Sequence, residues 1–212
     1  MSPATSAVDK DAAAAAIRAF LRALGHDPDD ESLRETGMRV ALLYADELLD
    51  GHGKDLDSLF EDAIPCGRST PLVIVRRLST HVVCPHHLTI GSGFADIAYL
   101  PRDRVLGLGN VAQIVDALCH RLVLQEDACQ AVARAFVERL DAHGAMCRLD
   151  LQHACLTHHG EKKRSARVTT IAAAGSCEDA GPDRAFVFAG LIAAVPPRPA
   201  AKKIRSRRRS AL

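Results

Sequence analysis

Two short stretches of the chain hold residues suited to chemistry: Cys84-Pro85-His86-His87 and, about seventy residues later, His153-Ala154-Cys155. Zinc takes thiolate and imidazole ligands, and Cys84, His87 and Cys155 would supply three of them. The C-x-x-H spacing lets one turn present two ligands to one ion. The third is expected on a strand, where side chains alternate, so His153 and Cys155 would share a face and an imidazole would sit beside the thiolate. Three ligands leave a fourth position for water, whose pKa zinc lowers to about 7. His86 and His153 would then be free to move protons. The same residues also suit a closed structural site in which one histidine is the fourth ligand, or thiols that are simply buried.

The elements that must position these residues can be read from periodicity. Residues 146–153 alternate apolar and polar, as a half-buried strand does, and 168–174 read as its partner. Residues 72–75 and 94–100 read as two further antiparallel strands around a turn marked by Gly91 and Gly93. Helical spacing covers 12–24, with Gly25 as its stop, and 32–49, where Gly37 interrupts the pattern. It returns over 110–122, 126–140 and 183–192. Helices, hairpin, helices, hairpin, helix is not the alternation of a parallel sheet. The implied class is α+β, an antiparallel sheet packed with helices behind an N-terminal helical segment. The expected organisation is a helical region over 1–70, a catalytic region over 71–195 and a basic tail over 196–212.

With 212 residues and 48% hydrophobic content, the chain can bury one core. It has no apolar run near the roughly 20 residues of a membrane span and no secretory pattern at the N-terminus, so it reads as soluble and cytoplasmic. Seven cysteines, an odd number, are expected to be reduced thiols rather than a disulfide framework. The formal charge of +1 hides an asymmetry: Arg198, Lys202, Lys203, Arg205, Arg207, Arg208 and Arg209 all lie in the tail, leaving the body at about −6. The tail reads as a solvated, disordered extension rather than a nucleic-acid anchor.

The Cys84-Pro85-His86-His87 and His153-Ala154-Cys155 segments, together with Val105-Leu106-Gly107-Leu108, Ile114-Val115, Leu124-Gln125-Glu126 and Arg184-Ala185-Phe186, resemble in the same order the motifs of the GTP cyclohydrolase I family. The resemblance spans about 31–192. It implies the tunnelling fold, a toroidal homodecamer with sites at subunit interfaces, and a zinc cofactor. By resemblance Cys84, His87 and Cys155 are the zinc ligands, His86 and His153 the catalytic histidines, and Gln125 and Glu126 the pair that reads a purine. A carboxylate such as Glu126 can accept two parallel hydrogen bonds from the N1–H and amino group of guanine. The implied reaction is hydrolytic opening of the imidazole ring at C8, with His153 protonating N7.

The departures from the family pattern cluster at one end of the substrate. Gly109, Asn110 and Gln113 stand where the family has serine, lysine and arginine, and His159 stands where it has a second arginine. Pro85 replaces a glutamate, and the loop after Gly160 is one residue short. The lysine and two arginines hold the triphosphate in the family. At roughly 1.5–3 kcal/mol for each hydrogen bond to a charged group, their loss would cost about 5–9 kcal/mol before non-additivity. Lys162, Lys163, Arg164 and Arg167 lie close enough in sequence to rebuild a clamp. The expected substrate is therefore a guanine-like purine with fewer phosphates than GTP. Two other classes compete: a nitrile reductase on the same fold, which would use a cysteine nucleophile and a nicotinamide, and a non-catalytic regulatory homologue. The full ligand set argues against the first, and retention of His86 and His153 against the second.

Overall fold

The computed structural model describes residues 7–67 and 71–193, so the basic tail lies outside the described residues. Helix α1 (Lys10–Ala23) starts where Asp9 caps the Ala12 amide at 2.9 Å, and Gly25 follows its end at a φ of 85°. The single helix expected over 32–49 is instead a turn, a short helix α2 (Thr36–Leu42), a π-helical turn (Leu43–Leu48) and a 3-10 turn (Asp50–Gly53). Gly37 does not break α2. A Cβ there would lie 2.8 Å from the Ala14 carbonyl oxygen and 2.9 Å from Arg18 Cγ, so glycine lets α2 approach the backbone of α1. Helix α3 (Leu56–Glu61), capped by Asp55, was not anticipated; six residues are too few to show a helical period.

The four-stranded sheet is antiparallel throughout, in the order β2 (Val73–Val83), β3 (Ile90–Leu100), β5 (Gly144–His153), β6 (Val168–Gly175). A separate pair joins β1 (Ile64–Pro65) to β4 (Arg104–Val105). Gly91 and Gly93 are not in a turn, as expected from sequence, but inside β3. Their partners need the space: a Cβ on Gly91 would fall 2.5 Å from His153 Nδ1, and one on Gly93 2.1 Å from the Asp150 carbonyl oxygen.

Helices α4 (Leu108–Cys119) and α5 (Gln125–Glu138) cover one face of the sheet, and α7 (Pro182–Ile192) covers part of the other. The alternation of a strand divides the core between them. Ile97 and Tyr99 of β3 pack with Ile114, Val132 and Phe136, whereas Ala98 packs with Met146, Val187 and Leu191. Arg77, at a φ of 56°, makes a bulge in β2 that shifts its register on β3, and its amide donates to Asp96 at 2.7 Å. The Arg76 guanidinium beside it donates to the Leu191 and Ala193 carbonyls at the end of α7, where the helix dipole is negative. The class is the α+β arrangement expected from the element order.

Candidate metal centre and active site

Residues 84–89 turn β2 into β3. Leu88, at a φ of 54°, reverses the chain, so that its amide donates to the Cys84 carbonyl at 2.9 Å and the Cys84 amide donates to the Thr89 carbonyl at 2.8 Å. This tight loop sets Cys84 Sγ 3.6 Å from His87 Nδ1. Cys155 arrives from the other hairpin. It does not share a strand with His153, as expected from sequence: β5 ends at His153, and Cys155 lies in the four-residue helix α6 (Ala154–Thr157) that follows.

The donor atoms of Cys84, His87 and Cys155 all lie within 4.8 Å of one another. In a tetrahedral zinc centre with bonds of about 2.3 Å to sulfur and 2.0 Å to nitrogen, neighbouring sulfur and nitrogen atoms lie about 3.5 Å apart. The Cys84–His87 spacing matches, and the thiolate–imidazole set suits that ion. Among the described residues no fourth His, Cys, Asp or Glu joins the group. His86 and His153 are not among these donors. The His86 ring centroid is 6.3 Å from that of His87, with the rings nearly perpendicular.

A cleft of about 250 Å³ opens beside these donors and is lined by Cys84, His86, Gln125, Glu126, His153 and Cys155 together with apolar side chains. The larger surface hollow of about 370 Å³, lined by Leu56, Leu118, Arg134 and Glu138 among others, holds none of the candidate residues. The two halves of the cleft are joined through the backbone. The Val83 amide donates to the Arg121 carbonyl at 3.0 Å, and the Val123 amide donates to the Val83 carbonyl at 3.2 Å. The strand leading into the metal loop is thereby tied to the segment that starts α5.

Gln125, the first residue of α5, is buried, and its amide is fully engaged within the chain. Its Nε2 donates to the Leu149 and Val168 carbonyls and to Thr170 Oγ1 at 3.0–3.2 Å. That orientation leaves Oε1 facing His153 Nε2 at 2.6 Å, so Nε2 carries the proton and donates. The sequence reading gives Gln125 to the purine; in the structure its side chain is bonded to His153. Burial pushes the His153 pKa down, and the charge of Glu126 opposes that shift. Glu126, one residue along and exposed, makes no hydrogen bond or salt bridge among the described residues. Its carboxylate faces the cleft free to bind. Gly91, opposite His153 in the strand register, makes room for the ring. Its site role was hidden because a glycine's cross-strand neighbour cannot be read from one strand.

The residues at the substituted end are dispersed. Asn110 donates its amide to the Leu59 carbonyl of α3 at 3.0 Å, and Gln113 is exposed; neither lines the cleft. His159 is exposed, with its ring 5.2 Å from that of His87. Of the four downstream cations, Arg167 is held by the carboxylate and carbonyl of Asp150 at 2.8 and 2.6 Å. Lys162, Lys163 and Arg164 are exposed on the loop.

Fold and site together give an α+β protein in which three side chains that could hold a metal ion stand beside a cleft lined by two histidines and the carboxylate of Glu126. Residues 13–191 match the family GTP cyclohydrolase I. Among its relatives is GTP cyclohydrolase 1 of Bacillus subtilis strain 168, 37% identical over 182 residues, which are 85% of this chain and 95% of the relative. Another is GTP cyclohydrolase 1 of Streptococcus pyogenes serotype M49, also 37% identical over 182 residues, 85% of this chain and 93% of that one. The apo crystal structure of the archaeosine synthase QueF-Like overlays 51% of this chain and 98% of its own at a TM-score of 0.42 and 19% identity. The chain belongs to the GTP cyclohydrolase I family and has that family's tunnelling fold.

Proposed function

We propose that the chain is a zinc-dependent hydrolase that opens the imidazole ring of a guanine-like purine at C8, and that its preferred purine carries fewer phosphates than GTP. The observation that carries this reading is the convergence of three metal donors, an oriented histidine and an unpaired carboxylate on one cleft of about 250 Å³. Cys84, His87 and Cys155 would hold the ion. Zinc at such a site supplies Lewis acidity, which favours deprotonation of a water near neutral pH.

The chain's own groups do the rest. Glu126 accepts hydrogen bonds from the N1–H and amino group of the base, which fixes one orientation of the purine. His153, with Nε2–H held by Gln125, works through Nδ1: a proton carried there passes to N7 and makes C8 electrophilic. His86, exposed at the rim, carries protons as water adds to C8 and the C8–N9 bond breaks. A second water releases C8 as formate.

The substrate preference rests on the contrast at Asn110, Gln113 and His159. Asn110 is committed to Leu59, Gln113 has no charge, and His159 lies beside His87 rather than in a cationic cluster. The reading includes a homo-oligomer in the cytoplasm, a decamer by family likeness. Exposed Phe20 on α1, Leu24 just after it, and Phe186 and Phe188 on α7 are in keeping with further association.

Zinc-loaded protein incubated with GTP, GMP, guanosine and guanine, with formate as the readout, tests the reaction class. Formate release that disappears in Cys155→Ala together with the metal is the expected result. No formate from any purine by a stoichiometrically loaded protein would overturn it.

A further inference from the structure

The metal loop is anchored from outside its own hairpin by one side chain. Residues 85–88 are exposed, and the loop's internal bonds join Cys84 to Leu88 and to Thr89. Among the described residues, the one hydrogen bond that ties 84–89 to another element runs from the Tyr44 hydroxyl to the Leu88 carbonyl, at 2.5 Å. The residue it grips is the one at a φ of 54°, a conformation leucine rarely adopts and on which the reversal of the loop depends.

Tyr44 is aimed by an irregularity in the backbone. Leu49 N–H bonds to the Tyr44 carbonyl at 3.0 Å across five residues, so the chain makes a π-helical turn where an α-helix would have continued. That turn is braced at three points. The Leu48 carbonyl meets His81 Nε2 on β2 at 3.1 Å, Lys10 of α1 pairs with Asp46 at 2.6 Å, and Tyr44 reaches the loop. His81 lies on β2 three residues before Cys84, so the turn touches both the strand that leads into the metal loop and the loop itself.

We propose that Tyr44 is a positioning residue for the metal centre, holding Leu88 so that Cys84 and His87 stand at ligand spacing before the ion arrives. The inference rests on the zinc reading of Cys84, His87 and Cys155. Groups that orient a ligand set from outside typically change metal affinity by about 10–100-fold when removed.

Tyr44→Phe keeps the ring and removes only the hydroxyl. Zinc titrated into metal-free full-length protein against a chromophoric chelator should show one site in both proteins, with a dissociation constant at least about tenfold higher in the variant. Cobalt in place of zinc should give a shifted visible spectrum in the variant, because the angles of the donor set relax. Equal zinc affinity and equal cobalt spectra, with only a lower melting temperature in the metal-free variant, would reduce Tyr44 to a structural role and leave the zinc reading standing. A wild-type protein that takes up no zinc would overturn both.

Discussion

The two ends of the candidate site are built in opposite ways. At the metal and base end, residues of both hairpins and of α5 meet within hydrogen-bonding distance: the Cys84–Thr89 loop, the buried Gln125, its bond to His153, and Gly91 making room for that ring. At the other end, the positions that hold a triphosphate in the family are tied elsewhere or open to solvent. Asn110 braces α3, and Gln113 and His159 are exposed; of the downstream cations, Arg167 is held by Asp150. Apart from Pro85, the residues named at the metal and base end keep the family pattern, and this contrast is what the proposed change of ligand rests on.

The largest effect should come from the preorganised end. His153→Ala is expected to retain zinc and to slow ring opening by about 10²-fold or more, the usual contribution of general acid–base catalysis. Loss of the metal from that variant, read by elemental analysis, would make His153 a ligand and the centre closed. Next comes its support. Gln125→Ala frees the His153 ring and removes a donor to the Leu149 and Val168 carbonyls. Turnover should fall by about 10-fold or more, and chemical denaturation should show a loss of about 1–3 kcal/mol. Unchanged turnover would dissociate Gln125 from the histidine's function.

At the other end the expected change is a gain. Gln113→Arg restores one cation, and at roughly 1.5–3 kcal/mol for a charged hydrogen bond it should raise kcat/KM for GTP by about 10–100-fold while leaving guanosine unaffected. An equal change for both substrates would show that position 113 does not face phosphate.

The smallest effect concerns a cluster apart from both ends. The rings of His81 and His120 stack at 3.8 Å, and Asp50 and Asp116 contact the two nitrogens of His120 at 2.7 and 3.3 Å. Burial pushes the His81 pKa below its ordinary 6.5, and the His120 charge adds to this. The unfolded chain therefore binds a proton at His81 that the fold does not, and stability should fall as pH drops through about 6.5. Burial raises the Asp50 carboxyl, but hydrogen bonds from Lys54 and His120 outweigh it and hold the group below its ordinary 3.8. Its contribution should persist until pH falls below that value. Asp116, raised by burial, opposes the trend. Melting temperatures from pH 7.5 to 5 should decline less in His81→Phe than in wild type; an equal decline would remove His81 from the account.

The sequence made the metal donors legible because C-x-x-H and a distant thiolate are local patterns, and α5 and β5 because their periods run for ten residues or more. What it concealed depended on contacts across the fold. Gly91 looked like a turn because nothing in its own strand reveals the His153 ring opposite. The bonds of Gln125 could not be foreseen because its three acceptors lie on β5 and β6. The real turn carries no glycine; it is closed by Leu88 in a left-handed conformation that leucine rarely adopts. The π-helical turn is likewise invisible to a 3.6-residue pattern, which reads 32–49 as one helix.

The contrast between the two ends comes down to one ratio: kcat/KM for GTP over kcat/KM for guanosine, measured by formate release from zinc-loaded protein. A ratio at or below one is the expected result. A GTP value far above that of guanosine and every less phosphorylated purine, coupled to formation of a pterin triphosphate, would contradict it and restore the ordinary family function.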